Sequence, residues 1–294
     1  MKRRIETTTS RTAEWTCTCR ASSALEKNSH YKSDDYIAPL LLPGFIKLFF
    51  HFSLVRKLFT RVFAPKSIYE YVIARTKYLD AVFTQALAEQ FDQILTFGAG
   101  FDTRALRFQD KTQNTRVFEL DVSATQQAKI HQYQKRHLSI PSDLVFIAID
   151  FDKESLPVKL EEADFRKHQR SLFILEGLLM YLQPESVYAT FQTIQDFAGR
   201  HSLVAFDYIY ASVLRNEGTC YGESGAVKRV SSAGEQWHFG IEKGEIEPFL
   251  AKYNFKLANQ KDSIELEKAY FSDSDGVVIG KINGTHCIVT AEKL

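Results

Sequence analysis

The 294 residues are 45% hydrophobic and 25% charged. That is the balance of an ordinary globular protein and excludes a disordered chain or a fibrous repeat. Lys plus Arg (37) against Asp plus Glu (36) leaves a net charge of +1. A dedicated nucleic-acid binder carries a basic excess, so no nucleic-acid partner is expected.

Four cysteines, Cys17, Cys19, Cys220 and Cys287, make no C-x-x-C pair. They are too few for a disulfide scaffold and fit a reducing, cytoplasmic setting. Charge is uneven along the chain: residues 1–75 hold 13 Lys or Arg against 6 Asp or Glu, the remainder 24 against 30. Lys2, Arg3 and Arg4 resemble the start of an export signal, but ETTTS follows at 6–10 where an apolar run is required, so none is expected.

A helix is predicted over 12–27, then a polar break at 30–35. Segment 36–63, YIAPLLLPGFIKLFFHFSLVRKLFTRVF, is the most apolar stretch. Pro39, Pro43, Gly44, Lys47, His51, Arg56 and Lys57 interrupt it, which makes a transmembrane span the poorest reading. Phe45, Leu48, Phe49, Phe52, Val55, Phe59 and Phe63 recur at spacings of three or four and predict one amphipathic helix. Three roles stay open for it: packing on the body, a lid over a site, or peripheral membrane contact through the basic flank.

A second long helix is predicted over 67–87, and then the period changes. Strands follow at 92–97, 115–121, 143–150, 171–176 and 202–207, helices lie between them at 123–138 and 184–198, and a strand near 288–291 closes the sheet. This alternation predicts a doubly wound, mostly parallel α/β sheet. It divides into a helical cover or lid over 1–88 and a Rossmann-like body over 89–294, in one compact unit. Strands two to five end in Asp121, Asp150, Glu176 and Asp207, on the sheet edge where open α/β folds bind ligands.

The first strand runs into Gly98-Ala-Gly100-Phe-Asp102-Thr103-Arg104. Two glycines let the backbone turn tightly and approach a ligand, but Thr103 stands where the dinucleotide fingerprint needs a third. Glu119 and Asp121 lie where a carboxylate accepts both ribose hydroxyls. Phe151 could stack on an adenine whose amino group Asp150 accepts. Together these acids outline a nucleoside pocket without phosphate anchors, as S-adenosylmethionine requires. Asp102 or Thr103 can cap the next helix, and Arg104 can pair with an acid. The eight scattered histidines show no ligand spacing, so no metal is expected.

GAGFDTRALRF at 98–108, FELD at 118–121 and EGLLMYL at 176–182 resemble the leucine carboxyl methyltransferase family, in particular its bacterial S-adenosylmethionine-dependent branch. ARTKYLD at 74–80, FDYIY at 206–210, GEQWHFGI at 234–241, Arg20-Ala21 and Asp35-x-x-Ala38 extend the likeness over most of the chain. Two features depart from it: Asn254 precedes Phe255 where relatives carry glycine, and the cover is unusually aromatic.

The resemblance implies a class I methyltransferase fold with S-adenosyl-L-methionine as cofactor and S-adenosyl-L-homocysteine as product. It implies that Arg75 pairs with the methionine carboxylate, that Gly98 and Gly100 approach the cofactor, and that Asp121 holds the ribose. Asp150 and Phe151 would contact adenine and Glu176 the amino end. Arg20 and Lys27 are both in reach of the role of a second basic residue.

Methyl transfer from a sulfonium is an in-line displacement, so the enzyme mainly aligns and desolvates. A carboxylate acceptor needs no base, whereas a hydroxyl does, and Asp207 and Tyr208 are the candidates. The expectation is an O-methyltransferase, a carboxylate acceptor slightly ahead of a hydroxyl. A small apolar acid or phenol is the favoured substrate and a protein C-terminus the alternative, with Arg56, Arg61, Arg200 and Arg215 as candidates to hold an anion. Oligomeric state is left open. The rivals are an idle nucleoside-binding module that docks through the 36–63 helix, and an NAD-dependent oxidoreductase, which Thr103 and the missing Tyr-x-x-x-Lys string disfavour.

Overall fold

The computed structural model describes residues 9–50, 52–63, 67–233 and 235–294. Lys2, Arg3, Arg4, His51 and Gly234, with the side chains of Phe45, Leu48, Lys57, Arg61 and Phe63, lie outside the described residues. In chain order the elements begin with α1 (Arg11–Ala24), α2 (Ala38–Leu41), α3 (Gly44–Phe50), α4 (Ser53–Phe63), α5 (Ile68–Ala88), β1 (Gln93–Phe97), α6 (Arg104–Arg107) and α7 (Gln109–Thr112). Next come β2 (Arg116–Asp121), α8 (Ser123–Lys135), β3 (Leu144–Ala148), α9 (Leu156–Glu162), β4 (Ser171–Leu175), α10 (Pro184–Phe197) and β5 (Leu203–Ile209). The chain ends with α11 (Ala211–Leu214), α12 (Glu223–Ala233), α13 (Ile246–Ala251), β6 (Phe255–Lys261), α14 (Ser263–Tyr270) and β7 (His286–Lys293).

The strands pair in the order β3-β2-β1-β4-β5-β7-β6. β1 to β5 are mutually parallel, and β7 runs antiparallel between β5 and β6. Successive side chains of a strand point to opposite faces, and here both faces are apolar. Ile94, Val117, Leu172, Ile174, Ala205 and Ile288 face a core with α1 and α5. Leu95, Phe118, Phe173, Leu175, Phe206 and Val289 face a second core with α10 and α13. Two apolar faces are why the central strands read as unbroken hydrophobic runs, and why helices cover both. The first core passes without a break from Cys17 and Ala21 through Tyr71 and Leu79 to the sheet.

Three features differ from the sequence reading. The strand expected over 202–207 continues to Ile209, so Asp207 lies inside β5 and not at its tip. β6 was not anticipated, because its Lys256, Asn259 and Gln260 read as polar; it is the edge strand, with an irregularity between Leu257 and Asn259. The single helix expected from Phe45 to Phe63 is two, α3 and α4. The break has a cause: the buried Arg56 guanidinium turns back to donate to the Phe50 carbonyl at 2.6 Å and the Leu25 carbonyl at 3.0 Å, satisfying an orphan carbonyl at the end of α3. Phe49, Phe52, Leu54 and Leu58 stay exposed on this hairpin. Among the described residues, no helix is long and apolar enough to cross a membrane.

Candidate functional site

A cavity of about 610 Å³ opens at the carboxyl ends of the parallel strands. Gly98 and Gly100 follow β1 with φ of 61° and 51°, a left-handed region where an L side chain is strained. Space is short as well: a Cβ on Gly98 would meet Leu178 Cδ1 at 2.9 Å, and one on Gly100 would meet Ala13 Cβ at 3.2 Å. The turn therefore presents bare backbone to the cavity, and the start of α1 lies directly over it.

Asp121 ends β2 beneath this turn. Its carboxylate accepts from the Gly100 N–H at 2.5 Å and the Val122 N–H at 2.7 Å. Burial pushes its pKa up to about 6, against the pull of those two N–H groups and Lys129. Glu119 is the other acid of the strand, but its side chain is buried against Lys129 at 2.6 Å and does not line the cavity. Asp150 and Phe151 line the cavity after β3, and Asp150 Oδ1 accepts the Asp152 N–H at 3.1 Å.

Next to this turn lies a buried ion network. Arg75 reaches out from α5, its Nε donating to Glu176 at 3.0 Å and its Nη1 to Asp207 at 2.8 Å. Glu176 also accepts from Arg104 Nη1 at 2.7 Å, and Arg104 holds Asp102 and Asp80. Arg107 pairs with Asp80 and Asp35, and Arg20 with Asp35 at 2.9 Å. Asp102 Oδ1 accepts the Arg104 N–H at 2.7 Å, at the start of α6. Burial opposes charge on Glu176 and Asp207, but Arg104 and Arg75 outweigh it for the first, and Arg75 with the Gly177 N–H for the second. Both carboxyls are held below their ordinary pKa. The network sets four arginines against five acids among the described residues.

Of the residues expected at the site, the structure brings Arg20, Arg75, Gly98, Gly100, Asp121, Asp150, Phe151 and Glu176 to this one cavity. Others do not reach it. Lys27 is exposed, beyond the end of α1. Asp207 is fully buried with its oxygens taken by Tyr71, Arg75 and the Gly177 N–H. Tyr208 points to the opposite face of the sheet, in the core with Phe206 and beside Gln260. Neither Asp207 nor Tyr208 can therefore take a proton from a substrate in the cavity. Arg56 is committed to Phe50 and Leu25, Arg215 pairs with Glu217 and Glu242 on the surface, and Arg200 is exposed before the start of β5. None of the three lines the cavity. Nor does any described side chain of α3 or α4.

The rest of the wall was not foreseen. Trp15 of α1, Ile68, Tyr71 and Val72 of α5, Ala226 and Val230 of α12, Trp237 and His286 complete it. The His286 ring lies 4.4 Å from that of Tyr71 and 5.7 Å from Trp237. The cover over the cavity is held by Glu235, which accepts from the Arg11 N–H at 3.0 Å and Ser10 Oγ at 3.3 Å. Among the described residues no group of three His, Cys, Asp or Glu is placed to hold a metal ion.

The sequence pattern of the family described as leucine carboxyl methyltransferase matches residues 13–195. The chain belongs to the leucine carboxyl methyltransferase family. YktD of Bacillus subtilis (strain 168), named "Putative S-adenosyl-L-methionine-dependent methyltransferase", is 26% identical over 68% of this chain and 66% of its own length. A Mycobacterium ulcerans (strain Agy99) protein of the same name is 33% identical over 49% of this chain and 48% of its own. The chain thus spans about half to two thirds of the length of these relatives. In fold, the chain is similar to a "putative methyltransferase" from Thermobifida fusca YX, at a TM-score of 0.61, 15% identity and 94% of each chain. It is also similar to a DUF574 family protein from Streptomyces avermitilis MA-4680, at a TM-score of 0.59, 13% identity and coverage of 94% and 97%. The sheet order and the cavity at its carboxyl edge are those of the class I methyltransferase fold.

Proposed function

We propose that this protein transfers the methyl group of S-adenosyl-L-methionine to an oxygen of a small, largely apolar acceptor. The observation that carries the reading is the continuity of one cavity, with acids and a bare glycine turn at one end and an aromatic wall at the other. Its volume falls in the range of about 300–1,000 Å³ typical of small-molecule sites.

The residues present fit the cofactor. Asp121 keeps outward lone pairs for two ribose hydroxyls once Gly100 and Val122 have used the others. Phe151 and Asp150 suit adenine. Arg75 has its Nη2 left for the methionine carboxylate, and Glu176 lies beside it for the amino group. The buried network is short by one positive charge, and the cofactor's net charge of +1 would complete it. When bound, the cofactor supplies an activated methyl carbon; the protein's part is to orient the acceptor and exclude water.

The wall also bears on the acceptor. Two of the arginines lining the cavity, Arg20 and Arg75, are matched to buried acids, and the third, Arg11, is exposed. That supports a neutral hydroxyl acceptor ahead of a carboxylate, the reverse of the order the sequence alone favours. Calorimetric titration with S-adenosylmethionine, S-adenosylhomocysteine and NADH tests the cofactor. Binding of the first two alone is expected; binding of NADH alone, or of none, would sink the reading.

A further inference from the structure

We propose that His286 is the catalytic base of this site, its Nε2 accepting the proton of a phenolic hydroxyl as the oxygen is methylated. The inference rests on the methyltransferase reading above and names the acceptor class and the residue that serves it.

The argument begins with the tautomer. Thr285 Oγ1 lies 2.6 Å from Asn283 Oδ1 and 2.7 Å from His286 Nδ1. Asn283 Oδ1 also accepts the Thr285 N–H, which identifies that atom as the amide oxygen and not the nitrogen. Its only role toward the Thr285 hydroxyl is then to accept, so the single hydroxyl proton points at Asn283. Thr285 Oγ1 must in turn accept from His286, and Nδ1 carries the ring proton. In a neutral imidazole the other nitrogen is then the acceptor. Nε2 has no partner among the described residues, and the ring lines the cavity. Asn283 is itself anchored, its N–H donating to the Ser67 carbonyl at 2.9 Å just ahead of α5.

The surroundings keep the ring uncharged and in place. Burial lowers its pKa to about 4; Asp207 of β5 opposes this and Arg75 of α5 adds to it. The Tyr71 ring lies beside it, its hydroxyl committed to Asp207 at 2.7 Å, and Trp237 meets it edge-on. An aromatic acceptor can pack between Trp15, Trp237 and Tyr71 with its hydroxyl toward Nε2. The other histidine on the wall, His238, is exposed and lacks any such orienting chain.

The step balances without a co-reactant. The acceptor's O–H bond breaks and its proton passes to Nε2, while an oxygen lone pair forms the new C–O bond to the methyl carbon. The C–S bond breaks with its electron pair left on sulfur. The products are a methyl ether, S-adenosylhomocysteine and an imidazolium that returns its proton to water.

Two measurements test this. In ¹⁵N-histidine-labelled protein, free and with S-adenosylhomocysteine, the signal lost in His286→Gln should show a protonated Nδ1 and a bare Nε2. A protonated Nε2 overturns the proposal. In the second, phenol, 4-chlorophenol and 4-nitrophenol are offered with S-adenosylmethionine to wild type, His286→Ala and His286→Gln. General-base catalysis typically contributes about 10²- to 10⁴-fold. A loss of that size is expected with phenol and a far smaller one with 4-nitrophenol assayed at mildly alkaline pH, where it is already largely anionic, and added imidazole should restore part of the His286→Ala activity. Equal losses across the series would mean a structural role and overturn it. Methylation of none of the phenols by wild type, with S-adenosylhomocysteine still bound in calorimetry, overturns the phenol assignment and leaves the methyltransferase reading intact. Failure to bind S-adenosylhomocysteine defeats that reading itself.

Discussion

Tyr71 donates its hydroxyl to Asp207 Oδ2 at 2.7 Å, the same oxygen that takes Arg75 Nη1 at 2.8 Å. Asp207 Oδ1 accepts the Gly177 N–H at 2.6 Å, so one carboxylate locks α5 to the turn after β4. Asp207 is a positioning residue for Arg75.

Replacing it tests that assignment. Removing one partner of a buried ion pair leaves an uncompensated charge and costs about 3–5 kcal/mol. Asp207→Ala should therefore lower stability by roughly that amount, and Asp207→Asn by less, since an amide oxygen still accepts. Both should raise the KM for S-adenosylmethionine more than they lower kcat. Because its folded pKa is depressed, the stabilisation is full above the unfolded value of about 3.9 and is lost as pH falls below it. Denaturant titration of wild type and both variants from about pH 7 down to about pH 2 measures this. A collapse of kcat with stability and KM unchanged would restore Asp207 to the chemistry.

Asp121 carries a pKa shift of the opposite sign, and its loss on acidification comes at a higher pH. Its pKa in the free protein is raised to about 6, whereas two ribose hydroxyls require the ionised carboxylate. Cofactor affinity should be full above about pH 6 and fall as pH drops through it. Hydrogen bonds to a charged group contribute about 1.5–3 kcal/mol, so Asp121→Asn should bind roughly 10- to 150-fold more weakly. It should also lose the pH dependence between pH 5 and pH 7. Calorimetry at four pH values decides, and a wild-type curve flat across that range would remove the ribose assignment.

The cofactor end was far more legible in the sequence than the acceptor end, for a physical reason. Gly98, Gly100, Asp121, Asp150 and Glu176 are local: each sits at the last residue of a strand or within three residues past it, the strand's apolar run can be read directly, and parallel order then brings them together. Asp207 misled because β5 runs two residues past the acid, and period-two alternation buries it toward α5. Lys27 misled because α1 ends at Ala24 and leaves it in solvent. His286 was invisible because its place depends on antiparallel pairing of β7 with β5, where it lies opposite Ile209, 77 positions away in sequence. Trp15, Tyr71 and Trp237 come from three separated segments, and nothing local marks them as one wall.

The exposed hairpin yields a negative result that can be checked. Leu54 and Leu58 of α4 are 78% and 60% exposed, and neither they nor the other described side chains of α3 and α4 line the cavity. Surface substitutions away from special features usually change stability by no more than about 0.5 kcal/mol. Leu54→Glu combined with Leu58→Glu should therefore leave stability and cofactor affinity within error, and methyl transfer to a small acceptor within about twofold. A large fall in turnover at unchanged stability would show that this helix closes on the site after all.

The cover predicted to matter is instead the contact of Glu235 with the start of α1. Glu235 accepts the Arg11 N–H and Ser10 Oγ, while Ser10 N–H donates to Thr125 Oγ1 at 3.2 Å. Ser10 Oγ also accepts the Ala13 N–H and caps α1. Ala13 in turn presses on Gly100, so a looser start to α1 would loosen the floor under the cofactor. Glu235→Ala removes a partly buried carboxylate acceptor and not a core side chain. Global stability should then fall by only about 1 kcal/mol, but the dissociation rate of S-adenosylhomocysteine should rise about tenfold with little change in association. Stopped-flow displacement measures both rates. Unchanged dissociation, with the Asp121→Asn effect intact, would mean that the segment packs on the site without gating it.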